Sequence, residues 1–302
     1  MSFRRAPWAL ALVLCLAAPV AVRAQGDYLD VYVVKVKPEK LADFQALSKK
    51  WADANRRFNG DHWLALEAVY GESNVYQFTS TRKDYADIDK TNEAVMAAVN
   101  KAFGKEAAQK MGQDWNNCLV WSRAELRRRR WDLSRKAPQG PEAYARLIGE
   151  SRLLRTTAVH IRPGHVPEFE ALSKEMKEVA EKNPDTQPVF VSQVIEGSKG
   201  ATFYVSTLRS SMSGFDHNPT MREILGEEGF KKFQQMNADA VENAESTLYR
   251  FNPDLSNPPD DVARVAVDFW HPKGATASAA ASTKPKAATM EPTSAKGPVK
   301  KP

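Results

Sequence analysis

The sequence predicts an α+β protein assembled from two copies of one βαββαβ unit, and three observations carry that prediction. The segment Lys37-Pro38-Glu39-Lys40-Leu41-Ala42-Asp43-Phe44-Gln45-Ala46-Leu47-Ser48-Lys49 aligns without gaps onto Arg162-Pro163-Gly164-His165-Val166-Pro167-Glu168-Phe169-Glu170-Ala171-Leu172-Ser173-Lys174, with six of thirteen positions identical. The echo continues in order: Gly71 with Gly197, Thr79-Ser80 with Ser206-Thr207, Gly104 with Gly226, and Asp132-Leu133-Ser134 with Asp254-Leu255-Ser256. Within each copy, runs that alternate every second residue are interleaved with runs whose apolar residues recur every three to four. At 302 residues, 42% hydrophobic and 26% charged, the chain has room for two such domains.

The elements follow in order. Residues 1–24 begin with basic Arg4 and Arg5, continue with an apolar run broken by Pro7 and Pro19, and end in Val22-Arg23-Ala24. That is the pattern of a cleavable signal peptide, and the run is at or below the length of a spanning helix. Cleavage near Ala24 releases an extracytoplasmic chain, periplasmic or secreted, with no membrane span. It also removes Cys15 and leaves Cys118 alone, so the core must stand without a disulfide. Cys118 shares a helix face with Met111 and Trp115 and aligns with Ala240, the pattern of a small buried side chain.

Residues 25–137 form the first copy. Positions 31–37 alternate and are β-branched, hence a strand, and Leu41, Phe44, Leu47 and Trp51 then mark an amphipathic helix. Positions 63–70 and 75–81 flank Gly71-Glu72-Ser73-Asn74, a hairpin signal. A helical region at 84–119, interrupted near Gly104, precedes a last strand at 124–131. A linker at 138–152 carries a short helix, 142–149. The second copy, 153–256, repeats the order with strands at 156–162, 189–195, 202–208 and 246–251. Positions 262–270 alternate, so the extension 257–271 is expected to add one strand. Residues 272–302 are Ala, Lys, Pro, Thr and Ser without an aromatic, the composition of a disordered tail.

Split βαβ order predicts a four-stranded antiparallel sheet with both helices on one face, leaving the other face to be covered. In this the chain resembles the dimeric α/β-barrel superfamily, in which two ferredoxin-like units pack sheet to sheet, as two subunits or as a tandem duplication. The resemblance covers roughly residues 27–256 and rests on element order and duplication. It implies a single-chain pseudo-dimeric α/β barrel, monomeric or a homodimer. The superfamily holds haem-degrading and antibiotic-type monooxygenases, chlorite-dismutase-like haem proteins and stress-response or NIPSNAP-like proteins. Fold likeness does not choose among these functions.

Alternation assigns the strand faces. Tyr32, Val34 and Val36 match Thr157, Val159 and Ile161 as the helix-facing set, which leaves Val31, Val33 and Lys35 with Thr156, Ala158 and His160 facing the intersheet space. The same parity places Glu67, Gln193, Gln77, Thr79, Tyr204, Ser206, Glu125, Arg127, Thr247 and Tyr249 inside. Lys35, Glu67, Arg127 and His160 are the candidate ligand-binding set, with Arg127 or Lys35 as an anion clamp. The alternative is a structural ion pair of Lys35 or Arg127 with Glu67 or Glu125. His160 and Tyr204 are the candidate catalytic groups, since both can move a proton. His217, in Phe215-Asp216-His217-Asn218-Pro219, is the candidate ligand for a haem iron. The five histidines are scattered singly, so no metal site is predicted, and haem is the cofactor left open.

The formal net charge is +6, but Arg4, Arg5 and Arg23 and the six lysines of the tail carry the excess, leaving a near-neutral body. Nucleic acid is therefore not an expected partner. Alternation divides Arg127-Arg128-Arg129-Arg130 between two faces, as in a solvated strand end. Trp51, Trp63, Trp115 and Trp121 fall on or beside core spacing. Three functions remain open: a binder of a small, partly polar molecule held between the sheets; a haem-dependent or cofactor-free monooxygenase of the same architecture; and a structural or interaction protein whose polar interior is closed by ion pairs. The last requires that no cavity of ligand size, on the order of 300 Å³, exist between the sheets.

Overall fold

A computed structural model describes residues 28–216 and 219–271. The expected signal peptide, His217 and the expected tail lie outside the described residues. The first copy runs β1 (Tyr28–Val36), α1 (Leu41–Arg57), β2 (Leu64–Tyr70), β3 (Val75–Arg82), α2 (Tyr85–Phe103), α3 (Lys105–Asn117) and β4 (Leu119–Arg129). After α4 (Gly140–Glu150) the second runs β5 (Leu153–Ile161), α5 (Val166–Lys182), β6 (Phe190–Glu196), β7 (Ala201–Arg209), α6 (Met221–Ala240) and β8 (Val241–Phe251). Two short helices follow, α7 (Asp260–Ala263) and α8 (Val267–Trp270).

The strands close into a barrel in the order β1-β3-β2-β8-β5-β7-β6-β4, antiparallel throughout. Residues 28–129 and residues 153–251 each supply four neighbouring strands. The two sets join edge to edge at β2–β8 and β4–β6, so the expected intersheet space is a barrel interior and no edge strand is left exposed.

The helices pack outside as the alternation of β1 and β5 requires. Val34 and Val36 are fully buried against Phe44 of α1, whose ring lies 4.9 Å from Tyr76. In the second copy Val159 and Ile161 pack with Phe169 of α5, 4.6 Å from Phe203. Gly104 (φ 82°) separates α2 from α3, and Gly226 (φ 70°) kinks α6 at the aligned position. A side chain at either position would meet the left-handed penalty that glycine escapes. Cys118 is buried, as its helix spacing predicts.

Two expectations are corrected. Strands β4 and β8 begin at Leu119 and Val241, several residues before the alternating signal. Residues 122–124 of β4 and 242–246 of β8 are exposed in succession, so pairing with β1 and β5, not amphipathicity, holds them extended. The extension 257–271 forms helical turns and not a strand. Val262 and Ala263, adjacent on one short helical turn, are both buried, and the alternation of 262–270 does not mark two faces of a strand. Trp270 is fully buried; its indole N–H donates to the Gly149 carbonyl at 3.1 Å, and its ring meets Phe251 and Phe269. The approach of α4 to this extension needs Gly149, because a Cβ there would lie 2.7 Å from the Val262 carbonyl oxygen. Among the described residues no helix is long and apolar enough to cross a membrane.

His271 closes the extension with Nδ1 buried and unpartnered. Burial, reinforced by Arg56, holds its pKa below the ordinary imidazole value of 6.5. A depressed histidine contributes stability that is complete above its unfolded pKa and is lost as pH falls through the folded one. The stability advantage of wild type over His271→Gln should therefore shrink from about pH 7.5 to about pH 5 in paired melting curves; parallel pH dependences would contradict this.

Candidate functional site

The parity of β1, β3, β4, β5, β7 and β8 is as the sequence predicts: Val31, Gln77, Thr79, Arg127, Thr156 and Ser206 line the barrel cavity, with Phe251 on the face of Thr247 and Tyr249. On β2 and β6 it is reversed. Leu64 and Leu66 face inward, and Glu67 lies on the helix side beside Tyr76, whose hydroxyl pKa is pushed by burial up to about 12. Gln193 likewise faces out and accepts from Arg130 Nη1 at 2.9 Å. The rule that the more apolar set packs on the helices fails here because one end of the barrel interior is itself apolar, filled by Leu29, Leu64, Leu66, Phe190 and Phe251.

The four predicted binding residues do not come together. Lys35 pairs with Glu72 at the end of β1, six residues along the strand from Leu29, which faces Arg127. That is a separation of roughly 20 Å. His160 lies at the matching end of β5, its Nδ1 3.0 Å from Thr202 Oγ1; neither it nor Lys35 lines the barrel cavity. Arg127 donates through Nε to Glu125 at 2.8 Å, and its guanidinium lies 3.4 Å from the centre of the Tyr204 ring. The Tyr204 hydroxyl donates to the other Glu125 oxygen at 3.1 Å, and burial raises its pKa above the ordinary phenol value. All three side chains are buried. This is the structural ion pair that the sequence left as an alternative, and it commits Tyr204's proton to Glu125.

The run Arg127–Arg130 also departs from a solvated strand end. Arg128 is exposed, and Arg130 faces out to Asp132 and Glu170, but Arg127 and Arg129 are both buried. With these groups in place, the barrel interior retains a cavity of only about 140 Å³, polar on one side and apolar on the other, well under the roughly 300 Å³ at which drug-sized ligands begin to fit.

A larger cavity, about 360 Å³, lies outside the barrel between the β1–β3 face and helices α1–α3. Tyr32 and Phe78, opposite each other in the β1–β3 register, form its floor. Trp51 of α1 and Trp115 of α3 form its walls, with Trp63 before β2 closing one side. Trp115 stacks on Tyr32 at 6.0 Å and donates to Ser48 Oγ at 2.8 Å, while Trp63 donates to the Leu255 carbonyl at 2.8 Å. The Trp51 indole N–H is buried with no acceptor. Gly112 of α3 lies across the space; a Cβ there would come no nearer than 3.9 Å to Trp51. At the rim, Asp30 is reached by Arg82 Nη2 at 3.4 Å.

Spacing alone marks these aromatics as core, and the sequence reading missed the cavity for that reason. The duplication held the missing signal. Extending the gapless alignment sets Trp51 against Met176, and the other matched pairs set Tyr32 against Thr157, Phe78 against Val205 and Trp115 against Asn237. The second copy folds alike without these rings, so the fold does not demand them.

Haem, which the superfamily resemblance leaves open, does not fit the described residues. It needs a pocket well above 300 Å³ with an axial His, Cys, Met or Tyr. The barrel cavity is about 140 Å³, with His62 at its mouth. The aromatic cavity has no His, Cys or Met in its lining, and its one tyrosine is stacked on Trp115.

No family model and no curated protein matches the chain. Solved structures that it resembles include an anthrone oxidase-like protein (13% identity, 74% of this chain and 91% of that one, TM-score 0.48). Others are a haem-binding protein from Thermus thermophilus (12%, 77% and 93%, TM-score 0.40) and a mutant chlorite dismutase from Candidatus Nitrospira defluvii in complex with cyanide (9%, 80% and 95%, TM-score 0.41). By its own strand order and closure, the chain has the dimeric α/β-barrel fold.

Proposed function

We propose that the protein is an exported binding protein, a tandem ferredoxin-like pseudo-dimer whose first copy holds a planar aromatic molecule between its sheet and helices α1–α3. The observation that carries this reading is the cavity of about 360 Å³ walled by three tryptophans, one of whose indole N–H groups is buried without an acceptor. Aromatic walls favour a flat ring system by stacking. An unmet buried donor costs about 1–3 kcal/mol, so a ligand whose entry brings a ring nitrogen or carbonyl against the Trp51 N–H gains by satisfying it. The lining holds no histidine, cysteine or lysine, and its carboxylate, Asp30, stands at the rim beside Arg82. It is therefore suited to holding a ligand and not to moving a proton.

Quinoline and naphthalene, equal in shape and differing by one ring nitrogen, test the reading by tryptophan fluorescence. Quinoline should bind more tightly by roughly 2- to 10-fold, the worth of one net hydrogen bond. Gly112→Leu adds bulk to the lining from a helical position where a Cβ meets only Trp51, at 3.9 Å, so it should abolish binding of both while the protein stays folded, the helix-propensity gain of about 1 kcal/mol offsetting crowding against Trp51. Binding that survives in a folded Gly112→Leu protein would refute the site.

A further inference from the structure

The barrel interior carries a second feature, a cavity that shares Trp63 and Ser80 with the lining of the aromatic cavity but not Gly112. Arg129, at the end of β4, is 8% exposed and lines the cavity of about 140 Å³. Its neighbour on the same face, Arg127, is neutralised by Glu125 at 2.7 Å. No carboxylate among the described residues pairs with Arg129. Its Nη2 donates to the Thr81 hydroxyl at 3.1 Å, its Nε is buried with no partner, and the rings of Tyr144 and Trp131 lie 4.7 and 5.4 Å from the guanidinium carbon. Buried cations are ordinarily paired, because desolvation without a counter-charge costs several kcal/mol per ion. Here the residue without a counter-charge lines a cavity.

We infer that the barrel interior is a binding site for a small monocyclic carboxylate, its anionic head on Arg129 and its ring in the apolar space beyond. The dimensions suit that class: an apolar cavity of about 150 Å³ accepts one benzene ring. Leu29, Leu66, Phe190 and Phe251 supply the apolar walls. Ser192, opposite Arg129 in the β4–β6 register, adds a hydroxyl beside the head. A guanidinium with no carboxylate partner matches a carboxylate in charge. A bicyclic or larger ligand is excluded by volume, and an uncharged one leaves the guanidinium unpaired.

Calorimetric titration of the mature protein with benzoate, and with benzyl alcohol as the uncharged control, decides the matter. Benzoate should bind one to one, and benzyl alcohol at least about 10-fold more weakly. Arg129→Met keeps the bulk and removes a buried, unpaired charge, so it should fold at least as stably as wild type. It should weaken benzoate by about 10- to 100-fold, the range for a charged hydrogen bond. Gly112→Leu, which blocks the aromatic cavity outside the barrel, should bind benzoate unchanged, so the two sites fail independently. No benzoate binding at millimolar concentration, equal affinity for benzyl alcohol, undiminished binding by Arg129→Met, or loss of binding in Gly112→Leu would each overturn the assignment. Should Arg129→Met not fold, the wild-type comparison of benzoate with benzyl alcohol decides alone.

Discussion

Replacing Glu125 with leucine is expected to destabilise the protein by about 3–5 kcal/mol in urea unfolding, among the largest effects of any single substitution away from glycine. Glu125 and Arg127 are 3% and 4% exposed, and Glu125 accepts from Arg127, Arg123 and the Tyr204 hydroxyl. Removing the carboxylate leaves Arg127 as an uncompensated charge inside the barrel and strands the tyrosine hydroxyl. The cost belongs to the orphaned partner and not to the pair itself, since an ion pair and an apolar pair of similar volume are often close in stability. The double variant Glu125→Leu/Arg127→Met should therefore recover most of the loss. A single variant within about 1 kcal/mol of wild type would mean that water reaches the pair.

Trp270→Ala is expected to cost about 3–5 kcal/mol, the range for deleting a buried tryptophan. The side chain is fully buried, it packs on Phe251 of the last barrel strand, and its N–H satisfies the Gly149 carbonyl of α4. Residues 257–271 are thus a plug in the apolar core at one barrel mouth, with Val262, Ala263 and Trp270 sharing a cluster with Leu66, Leu208 and Ile148. A loss below about 1 kcal/mol in urea unfolding would show the extension to be a loose appendage.

Much of this architecture is written in the periodicity. The gapless alignment around Phe44 and Phe169 marks the duplication, and the aligned breaks at Gly104 and Gly226 fall where the backbone turns left-handed in both copies. Face assignment succeeded on β1 and β5, whose helix-facing residues are the more apolar, and failed on β2. There Leu64 and Leu66 point into an apolar half of the barrel while Glu67 turns outward beside Tyr76. Polarity sorts faces only when the two environments differ in polarity, and at that end of the barrel they do not.

The site was less legible. Arg129 shares a face with Arg127 by simple alternation, so its inward direction was readable, but its lack of a carboxylate depends on which strands close the barrel. Trp51 and Trp115 have core spacing because they are largely core. What separates a wall from a filled interior is the space left by Gly112 across from them, and no single-sequence pattern encodes an absence of packing. His160 and Lys35 failed for a different reason: parity gives direction across a strand but not height along it, and both stand at the far end from the cavity.

The most direct test of the central claim is a bromine anomalous difference map from crystals soaked in 6-bromoquinoline. The expected result is a peak beneath α1 and α3, enclosed by Trp51, Trp63 and Trp115, with the quinoline nitrogen within hydrogen-bond distance of the Trp51 indole N–H. Density confined to the barrel interior or to the surface, with the tryptophan cavity empty at saturating soak, would contradict it.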